Sequence, residues 1–111
     1  MKQRRAKPVS KVTRAYIEAR DEGLCIYCGD YGTQMDHVVP VSQDGPNHRS
    51  NLVLSCGLCN MRKHDSVDLK YLIRAFRHLL DCGEDISWID DIYSGESLES
   101  RLPVGASIGT L

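Results

Sequence analysis

Four cysteines stand in two Cys-x-x-Cys pairs, Cys25/Cys28 and Cys56/Cys59, with 27 residues between the pairs. Zinc accepts four thiolates tetrahedrally, and a Cys-x-x-Cys turn supplies two of them with backbone N–H groups facing the sulfurs. Two such turns can close one structural site with no open coordination position. A redox Cys-x-x-Cys needs only one pair and usually a thioredoxin-like βαβ setting, which this pattern lacks. Between the pairs lie Asp36-His37 and Asn51, Asn60 directly follows the last cysteine, and Lys63 stands three residues beyond it. Carboxylate and amide oxygens suit a hard divalent cation. A histidine, titrating near neutrality, can take a proton from water.

The elements that must position these residues follow from pattern. Ser10 or Thr13 caps a helix running to about Glu22, with Gly23 placed to end it. Residues 24–29 form the first knuckle. Residues 35–39 read as a short strand ended by Pro40, and this strand carries Asp36 and His37. Residues 42–50, rich in Gly, Pro, Asn and Asp, are a loop. Residues 52–55 read as a second strand that leads into the second knuckle, and a short helix then carries residues 60–64. From Asp65 or Ser66 a clearer helix follows, with Leu69, Leu72, Ile73, Phe76, Leu79 and Leu80 at helical spacing and Gly83 at its end. Beyond Glu84 the pattern weakens, although Ile86, Trp88, Ile89 and Ile92 can pack against the body.

With 111 residues the chain is one small domain of α+β class, short of core and suited to a metal staple. Five cysteines and no signal peptide argue against a secreted disulfide framework and for zinc-bound thiolates in a reducing cytoplasm. Cys82 is left over as a buried or half-buried free thiol. No apolar run is long enough to span a membrane. The net charge of −1 conceals an asymmetry: residues 1–80 hold 13 Lys/Arg against 8 Asp/Glu, and residues 81–111 hold one Arg against seven acids. The chain therefore divides into a basic flexible arm at 1–12, a body at 13–83 and an acidic extension at 84–111. The arm either grips a phosphate backbone or is a solvated tail. The extension shields the basic surface, meets a partner protein or is disordered.

Through Arg20-Asp21, Cys25-Ile-Tyr-Cys28-Gly29, Met35-Asp36-His37-Val38-Val39-Pro40, Asn51-Leu52-Val53-Leu54 and Cys56-Gly-Leu-Cys59-Asn60-Met-Arg-Lys63, the chain resembles the HNH endonucleases. It covers about residues 13–65. It implies a ββα-metal (His-Me finger) core stapled by the four-cysteine zinc site, with flanking helices. By resemblance His37 is the general base. Asp36 and Asn60 are ligands of a divalent cation, typically Mg²⁺ (or Mn²⁺), and Asn51 pins the inter-strand loop and orients His37. Asn60 is the asparagine form of a position that the family name assigns to histidine. His64 is either an added cation ligand or a surface histidine. Adjacent strand residues point to opposite faces, which suits an in-line attack with cation and water on opposite sides of a phosphate.

Arg62 and Lys63, and more weakly Arg49, are expected at the nucleic-acid backbone, with His48 a phosphate contact or solvated and His78 structural. Such contacts position a substrate without reading its sequence. The implied activity is metal-dependent hydrolysis of phosphodiester bonds in double-stranded DNA, leaving 5′-phosphate and 3′-hydroxyl ends, with low sequence specificity. One site nicks as a monomer. The alternative is a noncatalytic zinc-stabilised module that binds nucleic acid or a protein.

Overall fold

The computed structural model describes residues 8–63 and 68–92. It is a small α+β fold in which a two-stranded antiparallel sheet lies between helices. Helix α1 spans Lys11–Arg20 and opens on Ser10, whose hydroxyl accepts from the Thr13 N–H at 3.1 Å. Of the two caps read from sequence, Ser10 and Thr13, it is Ser10 that serves. The helix stops two residues before Glu22, because Glu22 and Gly23 both take left-handed backbone, at φ 58° and 71°.

Strand β1 spans Gln34–His37 and β2 spans Leu52–Ser55. Their register pairs Met35 with Leu54, Asp36 with Val53 and His37 with Leu52. Val38 and Val39, expected in β1, lie beyond it. Val38 still donates to the Asn51 carbonyl, but the N–H of Val39 goes to the Asn51 side chain, so a carboxamide replaces the next rung of the ladder.

Helix α2 spans Gly57–Lys63 and starts three residues earlier than expected, inside the second knuckle. Helix α3 spans Leu69–Asp81 and is capped by Asp68, which accepts from the Lys70 N–H at 3.0 Å. The caps expected at Asp65 or Ser66 lie outside the described residues, as do His64, residues 1–7 and residues 93–111. A short α4, Trp88–Ile92, follows.

Strand alternation divides the core into two layers. Leu52 and Leu54 join Ile17 of α1 on one face, with Met35 packed against them. Val53 joins Cys25, Tyr27, Cys59 and the α3 residues Leu72, Ala75 and Leu79 on the other. Ile17, Leu52 and Leu54 are at most 1% exposed, and burying such side chains contributes about 1.5–3 kcal/mol each. Ile86 and Trp88 pack on the α3 layer, as expected. Among the described residues no helix is long and apolar enough to cross a membrane.

Candidate functional site

The two cysteine pairs meet because both are tied to β2. The Ile26 N–H donates to the Leu54 carbonyl at 3.0 Å, docking the first knuckle beside the strand that runs into Cys56. Gly29, at φ 86°, closes that knuckle and donates to the Cys25 carbonyl. The four sulfurs lie within 4.8 Å of one another, and those of Cys28 and Cys56 are 3.7 Å apart. A tetrahedral ion with metal–sulfur bonds of about 2.3 Å has edges of about 3.8 Å, so the donors fit zinc. Burial pushes the Cys25 thiol up, but backbone N–H groups at Cys56, Cys28 and Tyr27 outweigh it and bring it down to about 7. This favours the thiolate that a metal requires. The Cys59 N–H points at the Cys56 sulfur at 3.4 Å.

Asp36 and His37 face opposite sides of β1. Asp36 shares the face of Val53 and is buried. Its Oδ2 accepts from the Tyr27 hydroxyl at 2.5 Å, and its Oδ1 lies 3.4 Å from the Lys63 ammonium. Burial raises the Asp36 carboxyl above its ordinary value, against opposing pulls from Lys63 and Tyr27. Burial, followed by the Asp36 charge, likewise pushes the Tyr27 phenol far up, so it stands as a neutral donor.

Half-buried His37, on the other face, meets the Asn47 carboxamide oxygen through Nε2 at 2.9 Å. With that oxygen accepting, Nε2 is the donor, and in a neutral ring Nδ1 is then the acceptor. Fully buried Asn51 bonds to Val39 in both directions and donates to the Pro46 carbonyl at 2.9 Å. It thus holds the two residues after His37, together with the loop that carries Asn47.

Asn60 follows Cys59 on α2, and its amide donates to Gln34 Oε1 at 2.6 Å. Gln34 and Asp36 lie two apart on β1, and Asn60 and Lys63 lie three apart on α2, so the two elements meet as Asn60–Gln34 and Lys63–Asp36. The carboxylate and amide oxygens on this seam are the donor chemistry of a hard cation.

Three expectations change. Lys63, read as a contact to the nucleic-acid backbone, is 1% exposed and spends its ammonium on Asp36 and on the His37 carbonyl, the latter at 2.9 Å. A buried amine so engaged cannot reach a phosphate in solvent. Arg49 is ion-paired to Glu84 at 3.2 Å and stacks on the Tyr16 ring, whereas Arg62 is exposed. Cys82 is exposed rather than buried, because it follows the last residue of α3.

His78 has the structural partner expected of it, with Nε2 2.6 Å from Asp21 Oδ1. Asp21, His78 and Cys82 converge closely enough to suggest a second metal site. The Asp21 oxygens are already taken by the Arg20 guanidinium, His78 and the Leu54 N–H, so this is the buried Arg20–Asp21 ion pair with His78 bonded to it. Sequence reasoning overlooked Tyr27 and Asn47. A tyrosine between two cysteines of the four-thiol cluster is the one signal that could have drawn attention to the first, and nothing local marks the second.

Residues 25–66 match the family model for HNH endonuclease. They span both cysteine pairs, Asp36, His37, Asn51 and Asn60. No curated protein matches the chain.

Proposed function

We propose that this chain, with an HNH endonuclease segment at residues 25–66, is a metal-dependent endonuclease that nicks double-stranded DNA. The reading implies 5′-phosphate and 3′-hydroxyl products, one cut per monomer and little sequence specificity. The observation that carries it is the placement of Asp36 and His37 on opposite faces of β1, with Asn60 on the helix that starts at the second cysteine pair. Asp36 and Asn60 would hold Mg²⁺ or Mn²⁺, which when bound supplies charge stabilisation at the scissile phosphate. His37 takes the proton from the attacking water at Nδ1, while Asn47 holds Nε2 and fixes the ring. Asn51 keeps the backbone after His37 and the Asn47 loop in register. Exposed Arg62 meets the phosphate backbone, a contact that positions DNA without reading it.

The test is relaxation of supercoiled plasmid by the zinc-loaded protein with Mg²⁺ or Mn²⁺, wild type against His37→Ala. Wild type should give open-circular product, and the variant should be slower by about 10²–10⁴-fold, the usual contribution of a general base. Equal nicking by both proteins would remove His37 from the chemistry. DNA binding without any cleavage would favour the noncatalytic zinc module instead.

A further inference from the structure

We propose that Tyr27 is a positioning residue for Asp36, so that the first zinc knuckle itself aims the carboxylate that takes the divalent cation; this rests on the reading of Asp36 given above. Tyr27 lies between Cys25 and Cys28, and its buried hydroxyl donates to Asp36 Oδ2 at 2.5 Å. That is the short end of the range for a hydroxyl bonded to a carboxylate. The residue is also fixed from its other side by α3, which lies beyond the matched segment. The Tyr71 ring meets the Tyr27 ring edge-on, with centroids 5.1 Å apart at 89°, and Arg74 Nη1 donates to the Tyr27 carbonyl at 2.6 Å. Ring, backbone and hydroxyl are therefore each held.

The consequence lies at the second carboxylate oxygen. With Oδ2 anchored to Tyr27, Oδ1 faces α2, where the Lys63 ammonium stands 3.4 Å away. A charge-assisted N–H···O bond closes to about 2.7–2.9 Å, so Oδ1 is held less closely than Oδ2. A carboxylate oxygen has more than one acceptor site, so Oδ1 keeps lone-pair capacity beside Lys63. Without the Tyr27 hydroxyl, the desolvated carboxylate is free to rotate and close on Lys63. An incoming cation must then displace an ammonium from both oxygens. Hydrogen bonds to a ligating carboxylate typically change metal affinity by about 10–100-fold.

Tyr27→Phe keeps the ring and its Tyr71 contact and removes only the hydroxyl. Mn²⁺ is titrated calorimetrically into the zinc-loaded full chain, with wild type, Tyr27→Phe and Asp36→Ala compared and zinc content measured for each. The expected result is zinc retained in all three, Mn²⁺ binding abolished in Asp36→Ala, and a Kd raised about 10-fold or more in Tyr27→Phe. Loss in Asp36→Ala with a Tyr27→Phe Kd within twofold of wild type would overturn the role of Tyr27 alone. Undiminished binding in Asp36→Ala would overturn the cation site itself and the proposal with it.

A second measurement needs no variant. The buried Tyr27 hydroxyl proton should give a slowly exchanging downfield NMR resonance that shifts as Mg²⁺ saturates the wild-type protein. A resonance that stays in place at saturating Mg²⁺ disconnects Tyr27 from the site.

Discussion

Lys63 is where reading residue types along the chain parts most sharply from the folded molecule. Lysine is seldom buried unless paired, and beside Arg62 it reads as part of a basic strip. The fold turns it inward, where one ammonium meets the Asp36 carboxylate on β1 and the backbone carbonyl of His37. Removing one partner of a buried ion pair leaves the other charge uncompensated, which costs about 3–5 kcal/mol. Lys63→Met should therefore lose about that much stability in urea unfolding of the zinc-loaded protein. Arg62→Ala, the neighbouring residue and about a quarter of a helical turn away, should stay within about 0.5 kcal/mol of wild type. If Lys63→Met were as stable as Arg62→Ala, the buried pair would be wrong and the lysine would belong on the surface.

At the scale of elements, the loop between β1 and β2 does more than connect them. A Cβ added at Gly45 would come to 1.8 Å from the Val39 carbonyl oxygen and 2.9 Å from the Asn51 amide nitrogen. Both neighbours belong to the bonds that end β1, so neither can yield without moving the backbone next to His37. Gly45→Ala should cost about 1–3 kcal/mol as overpacking does, and should slow plasmid nicking by more than 10-fold while zinc content stays at wild-type level. An active, normally cleaving Gly45→Ala protein would show that the loop is not what holds His37.

Much of this architecture is legible in the sequence. The Ser10 cap, the second strand and the apolar stripe of α3 are local signals, and the cysteine spacing announces the staple. The contacts that complete the site are not local. Tyr27 meets Asp36 across nine residues, His37 meets Asn47 across ten, and Lys63 meets Asp36 across 27. Each depends on how two elements pack, which residue periodicity does not encode. Likewise β1 ends early because a side chain, that of Asn51, occupies the place of a strand.

For the molecule as a whole, the charge asymmetry along the chain resolves at Glu84, the first acid after α3. Rather than starting a loose extension, Glu84 is buried and accepts from the Tyr16 hydroxyl at 2.6 Å and from Arg20 at 3.3 Å, with Arg49 3.2 Å away. It joins α1, the inter-strand loop and the end of α3. Burial would raise its carboxyl, but the bonds from Tyr16 and Arg20, with the charges of Arg20 and Arg49, outweigh it and hold the group below its ordinary value.

The sign of the pH effect follows. A carboxyl lowered in the folded state stabilises fully above its unfolded value, about 4.3 for Glu, and that stabilisation is lost as pH falls through the lowered folded value. Glu84→Gln cannot titrate, so the pH-dependent part of its deficit against wild type tracks the charge. In urea unfolding the deficit should be about 1.5–3 kcal/mol at pH 7, unchanged at pH 5, and shrinking once the pH falls below about 4. Acid release of zinc affects both proteins alike and cancels in the difference. A deficit that holds constant into strong acid would mean that the shape of Glu84, and not its charge, ties the acidic end of the chain to the basic body.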